Sequence, residues 1–183
     1  MKNRFEIRGD VTVIFIDSPK YGVKEVAIDT SDLPLVQKFP NSWCIHWDPT
    51  IQGFYCRGKI QVNGKRNTIY LHRWITQCPV NLQVDHFDND TLNNRRSNLR
   101  IVKNSENQQN PRSAQRNSRS GVLGVSWNQK AQKWMARIEV DGKKHYCGLF
   151  LDVFAALNAV KRARAKLMPY SKEALASRSK ERA

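Results

Sequence analysis

Four polar residues in the middle of the chain have types and spacing suited to chemistry. Asp85 and His86 are adjacent, Asn98 follows twelve residues later, and Asn107 follows nine residues after that. An imidazole changes protonation near neutral pH, so His86 suits a general base. A carboxylate and an asparagine amide oxygen are hard ligands that favour Mg²⁺ and, less selectively, Mn²⁺ or Ca²⁺. Because Mg²⁺ usually keeps several waters, two protein ligands are enough.

These groups suit the hydrolysis of a phosphodiester. That reaction needs an activated water, a cation on the phosphate oxygens and stabilisation of the leaving oxygen. Neighbouring residues of a regular strand face opposite sides of the sheet. Asp85 and His86 can therefore share a site only at a bulge or at the end of a strand, and we predict that a strand closes at this pair.

The segments around this pair predict a β-hairpin and then a loop-rich stretch. Asn63-Gly64 fits a type I′ turn between predicted strands at 55–62 and 68–74. Residues 83–110 are dense in Asp, Asn and Arg and have few apolar anchors. A metal or a buried hydrogen-bond network would explain how such a segment becomes ordered.

Other polar residues of this region have structural interpretations. His72 lies in the predicted apolar hairpin strand, where a packed, hydrogen-bonded core histidine is expected, and His46 is also interpreted as a core residue. Short polar side chains commonly cap their own backbone in turns. That interpretation is preferred for Asn93, Asn94, Asn104 and Asn110.

The ordered polar pattern resembles the HNH endonucleases, the ββα-metal nucleases of phages, mobile introns and restriction systems. The matching motifs are Leu71-His72-Arg73, Val84-Asp85-His86, Asp88-Asn89-Asp90, Asn93-Asn94-Arg95-Arg96, Asn98-Leu99-Arg100 and Ser105-Glu106-Asn107. The resemblance implies that Asp85 and Asn107 hold one divalent metal, and that His86 is the general base. It also implies that Asn98 fixes the loop that orients His86. The family often has His at the position of Asn107, which here keeps an oxygen ligand, and Gly where Asn89 stands.

Three arginines lie beside the predicted site and are candidate phosphate contacts: Arg95, Arg96 and Arg100. At least one of them is expected to be structural or solvated instead. The expected cofactor is Mg²⁺, with Mn²⁺ as a substitute, and the expected partner is double-stranded DNA.

The charge of the chain also indicates a polyanionic partner. Its 183 residues include 31 Lys or Arg and 16 Asp or Glu, a net charge of +15. Residues 111–183 account for most of this excess, with sixteen basic and five acidic side chains. The 40% hydrophobic content excludes wholesale disorder, and no apolar run is long enough to span a membrane. The four cysteines show no C-x-x-C spacing, so a thiolate zinc site is not indicated and a cytoplasmic protein is expected.

Residues 121–167 predict a second module of three strands and a helix. Strands are expected at 121–127, 134–140 and 144–150, with an Asp141-Gly142 turn, and Asp152 is positioned to cap the helix. Val153, Leu157, Val160 and Leu167 are expected on its apolar face, with Lys161, Arg162, Arg164 and Lys166 mostly off it.

This module resembles the plant ethylene-response-factor type of DNA-binding domain, in which the sheet enters the major groove. The resemblance lies in Gly121-Val122, Gly124-Val125, Trp127, Trp134, Ala136, Ile138, Gly148 and Phe150. Candidate DNA contacts by position are Arg119, Trp127, Lys130, Lys133, Arg137, Lys143 and Lys144. Strand alternation favours Arg137 over Ile138, while Trp134 could equally belong to the core. Arg112 and Arg116 of the linker are further candidates.

The sequence thus predicts an α+β protein with several parts. They are a β-rich N-terminal segment (1–56), an HNH module (57–110), a basic linker (111–120), a DNA-binding domain (121–168) and a charged tail (169–183). The expected function is a site-specific, metal-dependent DNA endonuclease, encoded by a phage or mobile element, and a nickase if monomeric. A homodimer could cut both strands, and no other protein partner is evident. The alternatives are a non-catalytic DNA-binding regulator with a degenerate HNH module, and an RNA-directed or less selective nuclease.

Overall fold

The computed structural model describes residues 1–110 and 118–181, with side chains described as far as residue 176. It divides into two compact units, Met1–Lys103 and Asn104–Ala183. Both are built from small antiparallel sheets and short helices, as expected for an α+β protein.

The first unit begins with a three-stranded sheet in the order β1-β2-β3. Its strands are β1 (Phe5–Arg8), β2 (Val11–Ser18) and β3 (Gly22–Asp29). The central strand β2 is buried from residue 12 to residue 16, which accounts for its apolar run at 13–16. A 3₁₀ turn and the helix α1 (Leu33–Gln37) follow, with Pro34 in the first helical turn, where no N–H is needed.

A second sheet in the order β4-β5-β6 contains the predicted hairpin. Its strands are β4 (Trp43–Asp48), β5 (Gly53–Val62) and β6 (Lys65–Tyr70). Asn63 and Gly64 have φ values of 51° and 75°, so both central residues of the turn are left-handed, as a type I′ turn requires.

The prediction of a strand over 68–74 is wrong after Tyr70. The chain turns there into the helix α2 (Leu71–Thr76). Leu71, His72 and Ile75 are buried, a spacing that places them on one side of a helix rather than on alternate faces of a strand. Burial of one helix side therefore outweighs the preference of this apolar segment for a β-strand.

A two-stranded ribbon completes the first unit. It pairs β7 (Gln83–His86) with β8 (Leu99–Val102), and the loop 87–98 connects them. The predicted strand end at His86 is confirmed. The short helix α3 (Asn104–Asn107) follows β8 and belongs to the second unit.

One core joins residues on both sides of the predicted 56/57 boundary, which falls inside β5. The core residues are Ile14, Ile16, Val26, Ile28, Leu33, Val36, Phe39, Trp43, Cys56, Leu71 and Ile75. Phe39 stacks on Trp43 with ring centroids 4.0 Å apart. A Cβ on Gly58 would lie 2.3 Å from the Phe39 ring, so this close packing needs glycine. Residues 1–103 are therefore a single folded unit.

The second unit contains the predicted three-stranded antiparallel sheet packed on a helix, but its first strand begins at Val125 and not at the predicted residue 121. Its strands β9 (Val125–Asn128), β10 (Lys133–Val140) and β11 (Lys143–Phe150) lie in the order β11-β10-β9. The helix α4 (Val153–Leu167) begins at Asp152, whose carboxylate accepts the Ala155 N–H at 2.8 Å, which confirms the predicted cap. A further helix, α5 (Lys172–Glu181), occupies the predicted tail.

The buried face of α4 agrees with the predicted one only in part, since Val160 is buried and Val153 packs against the core as expected. The structure buries Ala156, Ala159 and Val160, whereas Leu167 is exposed, because small side chains allow the helix to approach the sheet closely. Arg164, expected off the apolar face, is also buried. Its guanidinium donates to Glu173 at 3.0 Å and to the Gln109 carbonyl at 2.9 Å, and these partners compensate for its burial.

Candidate active site

Asp85 and His86 occupy the last two positions of β7, and both side chains are buried. In the ribbon, Asp85 lies directly opposite Arg100 of β8, and His86 lies opposite Leu99. The Arg100 guanidinium donates a hydrogen bond to Asp85 Oδ2 and lies 5.0 Å from the centre of the Phe87 ring. Cross-strand pairing therefore places a basic side chain against the carboxylate.

The loop 87–98 is ordered by its own polar side chains. Asn98 accepts the Asp88 N–H at 2.9 Å and donates to the Asn93 carbonyl at 2.8 Å. Asp88 accepts the Asp90 N–H at 2.7 Å and the Asn93 side-chain amide at 2.9 Å. Asn89, which stands where the family often has Gly, has a φ of 66°, a left-handed conformation that Asn tolerates. A hydrogen-bond network thus orders this loop, but these bonds are part-buried or exposed rather than buried as predicted.

Asn94 orients His86, a role that sequence analysis missed. Its side chain is 1% exposed, and its Nδ2 donates to the carbonyls of Thr91 at 3.3 Å and Leu92 at 3.2 Å. Its amide oxygen therefore faces His86 Nε2, at 3.4 Å. An acceptor at Nε2 favours the tautomer that carries its proton there and its lone pair on Nδ1.

An aromatic wall surrounds His86. The rings of Tyr55 and His72 lie 6.2 Å and 5.1 Å from it, centroid to centroid, and Tyr70 stacks on His72 at 5.4 Å. His72 is buried on α2 rather than in a strand, and its Nδ1 has no hydrogen-bond partner among the described residues. Burial lowers the pKa of His72 to about 3, with smaller contributions from His86 and Arg73. His72 is therefore neutral at physiological pH.

The N-terminal sheet holds this loop by its backbone. The Ala27 N–H of β3 donates to the Leu92 carbonyl at 3.0 Å, and the Asn94 N–H donates to the Ala27 carbonyl at 2.7 Å. Asn94, whose side chain contacts His86, is thus positioned by a backbone hydrogen bond to β3. Composition alone did not indicate this role for the N-terminal residues.

Carboxylates of the N-terminal region also bind two arginines predicted as phosphate contacts. Arg95 pairs with Asp29 at 2.8 Å and with Asp10 at 2.9 Å. Arg96 donates from Nε and Nη2 to the buried Asp32, at 2.7–3.0 Å. Partial burial acts to raise the pKa of Asp29, but hydrogen bonds from Arg95 and Arg96 outweigh it and leave the pKa below its usual value.

Asp85 offers a hard carboxylate oxygen of the kind that divalent cations bind, and its Oδ2 also accepts a hydrogen bond from Arg100. Among the residues whose side chains the structure describes, no cluster of three or more His, Cys, Asp or Glu could enclose a metal. Asn107, the second ligand expected from sequence, lies on α3.

Several candidate DNA contacts meet on the sheet of the second unit. Arg119, Trp127, Arg137 and Lys144 line one groove of about 790 Å³. The Arg119 guanidinium lies 5.6 Å from the Trp127 ring centre. Trp127 lies opposite Trp134 in the strand register, and Trp134 packs against the core. Trp127 therefore lies on the helix-facing side of the sheet as well.

The remaining candidates lie around this sheet or outside the described residues. Lys130 lies in the turn before β10, Lys133 begins β10, and Lys143 begins β11. Arg112 and Arg116 fall within 111–117 and so lie outside the described residues.

Comparison with known proteins supports the interpretation of residues 70–109 as a nuclease domain. Residues 70–109 match the family model of the HNH endonuclease domain. Over 67 residues the chain is 33% identical to Protein 3.8 of Escherichia phage T7. This covers 37% of the chain and 54% of that protein, about half of its length. No solved structure matches.

The chain therefore carries an HNH endonuclease domain, and the predicted resemblance is confirmed for residues 70–109. Within the part of the chain that the structure describes, no helix is long and apolar enough to cross a membrane.

Proposed function

We propose that this protein is a site-specific, metal-dependent DNA endonuclease whose unit reaction is a single-strand nick. The observation that carries the proposal is the placement of His86 at a strand end, next to Asp85, with Nε2 against the Asn94 amide oxygen. One catalytic site per chain cuts one strand, so double-strand cleavage would require a homodimer or a second binding event. The phage relative favours action in the cytoplasm of an infected bacterium.

The proposed roles follow from the donor chemistry. Asp85 and Asn107 would hold one divalent cation, Mg²⁺ or Mn²⁺, which supplies positive charge to the phosphate and to the leaving oxygen. His86 takes a proton from the attacking water through Nδ1, because its Nε2 faces an acceptor. Asn98 keeps the loop closed behind His86. The role of Asn107 is proposed from its position in the sequence.

The second unit is proposed to select and hold double-stranded DNA through an ethylene-response-factor-like sheet. Its exposed basic side chains, Lys130, Arg137, Lys143 and Lys144, together with Arg119 and Lys133, support this role. Trp127 would contribute at the edge of the groove, and Arg112 and Arg116 are proposed from sequence. In the first unit, Arg100 donates to Asp85 and is kept as a phosphate contact because that carboxylate belongs to the candidate active site. We assign Arg95 and Arg96 to holding the loop, since their guanidiniums bind carboxylates outside that site.

Supercoiled plasmid nicking tests the proposal. Wild-type protein with Mg²⁺ should convert supercoiled to nicked plasmid, EDTA should abolish the conversion, and His86→Ala should reduce its rate by at least about 100-fold, the lower range for loss of a general base. Both proteins should still shift a DNA duplex in a gel. Binding without cleavage by the wild type would favour the non-catalytic regulator. Cleavage by His86→Ala at the full rate would show that His86 is not the base.

A further inference from the structure

One face of the β4-β5-β6 sheet is turned away from the core. Along β5, Cys56 and Gly58 are buried and Ile60 packs against the core, so Tyr55, Arg57, Lys59 and Gln61 lie on the opposite face. The strand register adds residues from β6 to this face, with Tyr70 opposite Arg57, Thr68 opposite Lys59 and Arg66 opposite Gln61. We call this surface the basic face.

The basic face begins at the candidate active site. Tyr55 and Tyr70 are 5.7 Å apart, centroid to centroid, and Tyr55 lies 6.2 Å from His86. From Tyr55 the face continues along β5 to Gln61, a distance of roughly 20 Å at about 3.3 Å per residue. That length matches about six base pairs of duplex DNA at roughly 3.4 Å each.

Positive charge predominates on this face, although the register also places Asp48 of β4 there, opposite Gly53. Residues 49–84 contain Arg57, Lys59, Lys65, Arg66 and Arg73, and no Asp or Glu. Arg73 is used internally, since it donates to the backbone carbonyls of Cys78, Pro79 and Leu82 at 2.8–3.0 Å. Within the described residues, the structure gives no carboxylate partner to the other four.

Two further features of this face suit an anionic ligand. The Arg57 Nε atom is buried and has no hydrogen-bond partner among the described residues, a costly state unless a ligand or water supplies an acceptor. A groove of about 450 Å³ is lined from the same face by Cys44, Lys59, Gln61 and Arg66. Lys59 and Arg66 are exposed at its rim.

We propose that the basic face binds the DNA backbone on one side of the scissile phosphate, over about six base pairs. This inference rests on the proposed nuclease function, since a duplex cut at His86 and continuing over this sheet would pass Arg57, Lys59 and Arg66. Arg57, Lys59 and Arg66 contact phosphates, and their contribution is to affinity rather than to the chemical step.

A paired charge-removal experiment on the full-length chain tests this proposal. The variant Lys59→Gln/Arg66→Gln removes two exposed cations from the face. The control Lys20→Gln/Lys38→Gln removes two exposed cations of the same unit, from the β2–β3 turn and the end of α1. Binding to a mixed-sequence 30-base-pair duplex is measured by fluorescence anisotropy in EDTA across a salt series. Plasmid nicking is measured separately with Mg²⁺.

The face variant should reduce the slope of log affinity against log salt by about 1.8, at about 0.9 per phosphate contact, while the control keeps the wild-type slope. It should raise KM for nicking and leave kcat unchanged. An unchanged slope, or an equal change in the control, would overturn the proposal. So would a loss of kcat at constant KM. If the wild type binds DNA but never nicks it, the nuclease function fails, and the salt slopes still decide whether this face binds DNA.

Discussion

The smallest scale, that of single residues, shows how the setting of His86 determines its chemistry. The Asp-His pair and its strand end are visible in the sequence, because strand alternation permits adjacent residues to share a site only there. Asn94 is different, since an asparagine in an Asn-rich loop most often caps a turn. Its two donated hydrogen bonds to backbone carbonyls direct its oxygen to His86, and only the folded loop reveals them.

Replacing Asn94 tests whether orientation of the imidazole limits the reaction. Asn94→Ala should lower kcat for nicking by about 10- to 100-fold with little change in KM, the usual effect of losing a supporting hydrogen bond. Asn94→Asp should not restore the activity, because a buried carboxylate cannot donate to the Thr91 and Leu92 carbonyls that fix the side chain. Single-turnover nicking measures both, and ¹⁵N NMR of the histidine rings reports the tautomer. Wild-type kcat in Asn94→Ala would contradict the orienting role.

His72 predicts a pH dependence of stability. Its pKa of about 3 in the folded protein lies below the ordinary value near 6.5, so only the unfolded chain binds this proton between those values. Its stabilising contribution is complete above pH 6.5 and is lost as the pH falls, by about 2 kcal/mol between pH 7 and pH 5. Urea unfolding at the two pH values measures the loss.

His72→Gln should remove this part of the pH dependence. The control His145→Gln takes a histidine from the other unit and should leave the dependence as in the wild type. Equal slopes in wild type and His72→Gln would show that His72 is protonated normally in the folded chain.

At the scale of elements, the N-terminal sheet folds in one unit with most of the HNH domain rather than as an appendage. β3 pairs by backbone hydrogen bonds with the loop that carries Asn94, and the Asp32–Arg96 ion pair connects the 3₁₀ turn before α1 to the same loop. Charge counting could not show this, because the acidic residues near the N-terminus and the arginines of the loop are more than sixty residues apart in sequence.

Breaking the Asp32–Arg96 pair should therefore destabilise the first unit. Asp32 is buried. Arg96→Gln should therefore leave the Asp32 carboxylate without its cationic partner and reduce the free energy of unfolding by about 2–3 kcal/mol. Asp32→Asn/Arg96→Gln should recover part of the loss, because the buried group is then neutral. Denaturant unfolding of the full double-mutant cycle measures the coupling. Arg8→Gln, which breaks an exposed pair with Glu6, is the control and should change little. If the stability losses of the two single variants simply add in the double variant, Asp32 and Arg96 are not coupled.

At the scale of the whole molecule, most of the net charge of +15 lies outside the candidate active site, on surfaces that could bind DNA. The candidate active site uses a few buried polar groups, whereas the second unit has its positive side chains on an exposed sheet. If that sheet holds DNA, its cations should determine the salt dependence of binding by the intact chain.

Arg137→Gln/Lys144→Gln tests this division. The two residues line one groove, and their loss should reduce the log–log salt slope of duplex binding by about 1.8. The rate of plasmid nicking at saturating protein should be unchanged. The control Lys161→Gln/Lys166→Gln removes two exposed charges from α4 and should leave the slope as in the wild type. An unaltered slope in the groove variant would show that these two side chains do not contact DNA phosphates.

The sequence by itself determined the elements and the chemistry that depend on neighbours along the chain. Asn63-Gly64 required a tight turn, Asp152 capped a helix, and the order of Asp85, His86, Asn98 and Asn107 indicated the HNH domain. These signals are readable because turn geometry, capping and motif spacing involve residues close in sequence.

Only the tertiary structure decided which distant residues support the site. It turned residues 71–76 into a helix, joined residues 1–56 to the nuclease in one core, and assigned Arg95 and Arg96 to carboxylates of the N-terminal region. It also aligned the basic face with His86. The physical reason is the same in each case: burial and ion pairing depend on which side chains the fold brings together, and that proximity has no signature in local sequence.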